Sequence, residues 1–121
     1  GATMIYHLTF RKSWRYALAT GPYKAKSLEK EGFIHCSTME QLVPVAMDFF
    51  QARRKLTILV IDETKLTSPV KWEKPSGGPP PGVPVNAKFP HIYGPINHDA
   101  VTKTLDMERN ADDVFVLPDN L

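Results

Sequence analysis

An α+β fold in a single domain is the class this sequence predicts, on three observations. Short strand-like segments bounded by glycine and proline recur along the chain, while helical spacing is concentrated in its first half. The third is length: 121 residues suit one core, since single domains usually span about 100–150. An apolar share of 42% is enough to build that core. Gly1-Ala2-Thr3 before Met4 reads as a cloning remnant, so residues 1–3 are set aside and 4–121 form the domain.

Residues 5–9 alternate as a short strand, with Ile5, His7 and Thr9 on one face and Tyr6 and Leu8 on the other. Trp14, Ala17 and Leu18 recur at helical spacing over 12–19 before Gly21-Pro22 stops the helix. A further helical turn is expected over 26–31, ending at Gly32, followed by a strand over 33–36. Ser37-Thr38-Met39-Glu40 then matches a capping box, in which a hydroxyl and a glutamate satisfy the first free backbone N–H groups of a helix. Leu42, Val43, Ala46, Phe49 and Phe50 follow as one apolar stripe, and Pro44 is the misfit because it has no N–H to donate. Residues 55–62 are almost continuously apolar, as in a central buried strand.

Beyond Thr64 the pattern is all strand, over 70–73, 87–93, 101–107 and 114–117. Residues 74–88 separate the first two of these. Five prolines and three glycines within 74–84 leave few backbone donors and no apolar periodicity, so this is expected to be a flexible, exposed loop. Too little chain follows it for a second core.

Several function classes are excluded or narrowed by composition. No apolar run approaches the roughly 18–20 residues that cross a bilayer, and the start lacks a secretory pattern, so a cytoplasmic protein without membrane contact is expected. A lone cysteine, Cys36, excludes an internal disulfide and fits a reducing compartment. The net charge of +2 is small for gripping a nucleic-acid backbone. Basic residues cluster at Arg11, Lys12, Arg15, Lys24 and Lys26, and again at Arg53, Arg54 and Lys55. They read chiefly as solvated faces, with an anionic small molecule or an RNA end as the remaining partners. The sequence carries no signal for an oligomeric state.

The candidate chemistry lies in three histidine-bearing segments. His7 and Thr9 share a strand face and offer a ring nitrogen and a hydroxyl about 6–7 Å apart, spaced to hold a diol or an amide edge. The competing reading is a core histidine bonded to a carbonyl. His35 ends a strand just before a helix, where Ser37 and Thr38 add hydroxyls; Ser37 as a plain cap is the alternative. Cys36 should point away from His35, into the core. His91 and Tyr93 share a face and are followed by Gly94-Pro95. Glu73 opens into the proline loop and is the carboxylate placed to project beside a cleft. His7, His35 and His91 would make a three-histidine metal set, but no His-x-His or His-x-x-x-His spacing pre-forms it, and no metal is expected.

Five strings extend these observations: Ile-Tyr-His-Leu-Thr from residue 5, Glu-Gly-Phe-Ile-His-Cys-Ser-Thr from 31, Val-Ala-x-x-Phe-Phe from 45, Val-Lys-Trp-Glu from 70, and Pro-His-Ile-Tyr-Gly-Pro-Ile from 90. In this order they resemble the domain-of-unknown-function family 952 (DUF 952), over about residues 4–118. That family is similar in fold to ADP-ribosyltransferases, so the resemblance implies a split mixed or antiparallel sheet with two or three helices. It implies NAD or a related nucleotide as ligand, with His7, Thr9, Ser37, Thr38 and Tyr93 binding it and His35, Glu73 and His91 as catalytic candidates. Leu8 stands where the ADP-ribosylating enzymes carry glycine. Two readings follow: a transferase or NAD glycohydrolase, and a non-catalytic module for a nucleotide, an RNA end or a protein.

Overall fold

Burial on both faces explains the apolar run at 55–62. A computed structural model, describing residues 3–121, places it as strand β3 (Lys55–Asp62) between β1 (Met4–Thr9) and β6 (Val101–Arg109). A short β7 (Phe115–Val116) completes a four-stranded sheet in the order β1-β3-β6-β7. Leu59 and Ile61 join Ile5 in one core cluster; Ile58 and Val60 join Tyr6 and Leu8 in a second on the opposite face. The alternation expected of the first strand is therefore present, and both of its faces are buried.

A second sheet has three strands in the order β2-β5-β4: β2 (Ile34–His35), β5 (Phe89–Ile92) and β4 (Val70–Glu73). Its inner face carries Ile34 and Ile92 into the first cluster. Every strand pairing is antiparallel, which removes the mixed option. The described residues are thus α+β, with two antiparallel sheets and three α-helices that all lie in the first half of the chain.

Helix α1 (Arg11–Thr20) buries Ala17 and rests Trp14 on the first cluster, whereas Leu18 is exposed. Helix α2 (Lys26–Glu31) ends where Gly32 takes a left-handed φ of 89° and returns its N–H to the carbonyls of Ser27 and Leu28. Helix α3 (Leu42–Phe49) packs Leu42 and Ala46 into the second cluster. A 3₁₀ turn (Met39–Gln41) precedes it. The capping box falls one residue later than expected: Thr38 caps, and the Gln41 side chain accepts from the Thr38 N–H at 3.0 Å. Pro44 fits because it lies in the first turn of α3, whose N–H groups have no helical partner.

Residues 74–88 contain no helix or strand, yet they do not stand clear of the molecule. Pro80 is buried, and the Gln41 amide donates to the Lys88 carbonyl at 2.9 Å.

Candidate functional site

The two sheets pack together in the first core cluster and are linked beside it by a backbone bridge. Tyr6 N–H donates to the Ser37 carbonyl at 2.9 Å, and Ser37 N–H returns a bond to Tyr6 at 2.7 Å. Beside this bridge the sheets part around a cleft of about 490 Å³. His7, Leu8 and Ser37 line it from the bridge, and Glu31 from α2. Val45, Phe49 and Phe50 supply an apolar wall from α3 and its end. His35, Phe89 and His91 come from the small sheet, Phe33 from the residue just before β2, and Pro75 and Pro80 line it from the loop. Phe49 was expected in the core stripe; it is instead 66% exposed and faces this hollow.

His7 is wired into the protein through both ring nitrogens. Its Nδ1–H donates to the His35 carbonyl at 2.6 Å, so its Nε2 holds a lone pair, to which the Tyr23 hydroxyl donates at 2.8 Å. Tyr23 has only one hydroxyl proton, so in its 2.8 Å contact with Thr9 the Thr9 hydroxyl is the donor. Burial pushes the His7 pKa down to about 4 and the Tyr23 pKa up to about 12, which keeps both groups neutral. Replacing Tyr23 with Phe is expected to cost about 2 kcal/mol, because it leaves the buried His7 Nε2 without a donor. Urea unfolding at pH 7.5 measures it, and a Tyr23→Phe protein as stable as wild type would contradict the buried Tyr23–His7 bond.

The outer face of the small sheet carries the other two histidines. His35 and His91 are directly paired across β2 and β5, and Lys71 stands opposite His91 on β4. Their rings meet edge to face at 5.5 Å, and Phe33 stacks on His91 at 4.1 Å. His91 Nδ1–H donates to Glu73 Oε1 at 2.8 Å, and the Tyr93 hydroxyl donates to the same oxygen at 2.5 Å. The Tyr93 and His91 bonds hold the Glu73 carboxyl below the usual carboxylate range. The Glu73 carboxylate in turn raises the Tyr93 hydroxyl, and Lys71 sits 4.8 Å above the Tyr93 ring. The exposed His35 ring pairs through Nε2 with Glu31 at 2.8 Å.

Of the residues singled out from sequence, His7, His35, His91 and Ser37 line the cleft. Glu73 and Tyr93 sit behind His91 and hold it rather than lining the hollow. Thr9 is buried against Tyr23, and Thr38 is used in the capping box. The Cys36 thiol is in the core, where burial raises its pKa. Ser37 Oγ and His91 Nε2 make no hydrogen bond among the described residues. No fully buried side-chain nitrogen or oxygen there lacks a partner, so both atoms keep some exposure, in two largely buried residues that line the cleft. Glu31, Tyr23 and Phe33 were not anticipated as site residues. Glu31 stands four residues before His35, a spacing that offered a local signal; Tyr23 reaches His7 across 16 residues and offered none. Among the described residues no group of three or more His, Cys, Asp or Glu is placed to hold a metal ion. None of the described helices is long and apolar enough to cross a membrane.

The profile of the family described as "Protein of unknown function (DUF952)" matches residues 8–104, most of both sheets and all three helices. The chain belongs to the DUF952 family. Solved structures agree with that placement. The crystal structure of protein CC0527 from Caulobacter crescentus is 32% identical, aligns over 98% of this chain and 97% of its own, and superposes with a TM-score of 0.80. The solution NMR structure of CC0527 gives 33% identity over 98% and 96% of the two chains, with a TM-score of 0.77. No curated protein is a significant match. In this DUF952 chain the match therefore supports the family and the fold, and the cleft must speak for the chemistry.

Proposed function

We propose that the cleft binds a nucleotide-type small molecule, with NAD the first ligand to test. The observation that carries this reading is the division of the cleft surface. A hollow of about 490 Å³ has aromatic and proline walls and gathers Ser37, His35, His91 and Glu31 among its polar groups. Cofactor-sized pockets span about 300–1,000 Å³ and use this combination of apolar walls with a few fixed polar groups. A planar base fits against Phe33, Phe49 and Phe50, and ribose hydroxyls suit the Ser37 hydroxyl and the imidazoles. The resemblance to ADP-ribosyltransferases adds NAD as the specific candidate, in a cytoplasmic setting. It also adds transfer or hydrolysis at the nicotinamide ribose as the reaction. Charge developing on that sugar is positive, and Glu31 is the carboxylate that lines the cleft.

Titrating NAD into ¹⁵N-labelled protein tests the reading. Shifts are expected at Phe33, Ser37 and His91, with Phe33→Ala binding roughly tenfold more weakly, as a lost base–aromatic stack implies. An unchanged spectrum at millimolar NAD, or equal binding by the variant, removes it. A second reading is binding without turnover on the same fold. It is favoured because His7 and Thr9, the expected ribose and amide grips, spend their polar atoms inside the protein. NAD binding that is lost in His35→Ala, with no nicotinamide released on prolonged incubation, selects it.

A further inference from the structure

We infer that His91 is the proton acceptor of the cleft and that Glu73 and Tyr93 position it for that role. The inference rests on the reading that the cleft receives a small molecule, and it assigns the group that takes a proton from that ligand or from water. Carboxylate, imidazole and open space occur here in the order that general bases require.

Glu73 accepts from both His91 and Tyr93 on one oxygen, and these bonds keep it ionised near neutral pH. An ionised carboxylate can only accept, so His91 carries its proton on Nδ1. In the neutral form of the ring Nε2 is the unprotonated nitrogen; it has no hydrogen-bond partner among the described residues and is not fully buried, in a residue that lines the cleft. Phe33, stacked at 4.1 Å with its plane 21° from the imidazole, fixes the orientation of the ring. His7 offers the internal contrast, since both of its nitrogens are already bonded within the protein. His35 is paired through Nε2 with Glu31 at the exposed edge.

The step is a proton transfer. An O–H bond of a ligand hydroxyl or of water breaks, its electron pair stays on oxygen, and the N–H bond forms at His91 Nε2. The imidazolium so formed is held against the Glu73 carboxylate and returns the proton when the product leaves. The cleft lining also limits which molecule brings that hydroxyl. It includes the Glu31 carboxylate and no lysine or arginine. A hydroxyl on a neutral or cationic ring suits this end, and any phosphate of the ligand belongs outside it.

Two measurements on the full chain test the assignment. Long-range ¹⁵N–¹H spectra of histidine-labelled protein at pH 7.5 should show His91 protonated at Nδ1 and bare at Nε2. Glu73→Gln should convert this single form into a mixture. Diethyl pyrocarbonate supplies the second readout: an unprotonated ring nitrogen attacks its carbonyl carbon, an N–C bond forms, and ethyl carbonate leaves. Mass mapping should find the label on His91 and none on His7. Labelling at His91 should slow roughly tenfold in Glu73→Gln while His35 keeps its wild-type rate. A proton on His91 Nε2 in wild type, no label at His91, or a Glu73→Gln protein labelled as fast as wild type overturns the inference. Adding NAD separates the two proposals. Protection of His91 supports both, whereas unchanged labelling in NAD leaves the base assignment standing and overturns the ligand.

Discussion

Acidification from pH 7 to about pH 4 is expected to remove about 3 kcal/mol of stability through one side chain, His7. In the folded protein its pKa is lowered from 6.5 to about 4, because burial penalises the imidazolium more than the His35 carbonyl bond helps it. The unfolded chain therefore binds the proton first. Stability is fully present above pH 6.5, falls as pH drops through that value, and levels off once the folded state also protonates near pH 4. Glu73 acts in the same direction at lower pH, since its folded pKa lies below the usual carboxylate value and its contribution is lost as it protonates. Urea midpoints of wild type and His7→Gln between pH 7 and pH 4 separate the two groups. The wild-type curve should fall steeply in the upper part of this range, and the His7→Gln curve should stay nearly flat there. Parallel curves would show that His7 is not the buried neutral ring described above. Because His7 ties β1 to the His35 backbone, the same titration should loosen the cleft before the fold as a whole is lost.

Why these groups were or were not legible follows from how far apart they lie in the chain. The strand at 55–62 could be read because burial on both faces writes a continuous apolar run, and His91 with Tyr93 because strand alternation is local. The direction of the Cys36 thiol, opposite to His35, came from the same period of two. Alternation does not say which strand lies opposite, so the ring-to-ring approach of His35 and His91 was not written in either segment. Tyr23 lies in a stretch with no apolar period and reaches the core by pairing with Ile96. Proline and glycine content described residues 74–88 as loop, but composition does not tell a loop in solvent from one laid over a cleft, as Pro75 and Pro80 are. Glu73 is expected from sequence as a strand-borne carboxylate projecting beside a cleft. Its place behind His91 instead of in the hollow depends on β4 pairing with β5, a contact across 18 residues.

Arg109 carries the second large effect. It was not distinguished from the other basic residues because its partners are backbone carbonyls, which every sequence has. The guanidinium donates to the carbonyls of Arg53 at 2.6 Å, Phe50 at 3.0 Å, Gln51 at 3.2 Å and Asp113 at 2.7 Å. It also lies 4.1 Å over the Phe115 ring, with its side chain only 5% exposed. It thereby joins the end of α3 to the β6–β7 hairpin, where a cation also suits the negative end of the helix. The Asp113 carboxylate, 4.0 Å away and 67% exposed, contributes little beside these bonds. Arg109→Met keeps the apolar stem but deserts four carbonyls, and a loss of about 3 kcal/mol is expected, with water repaying part of what is broken. Arg109→Lys should recover little, since an ammonium cannot span four acceptors in a planar fork. Urea unfolding of the three proteins measures both, and a Met variant within about 1 kcal/mol of wild type would contradict the bracing role. The consequence reaches the cleft, because Phe49 and Phe50 stand on the segment that Arg109 secures. A ligand seated against those rings should bind Arg109→Met more weakly under conditions where the variant is still folded, although Arg109 itself lies outside the cleft lining.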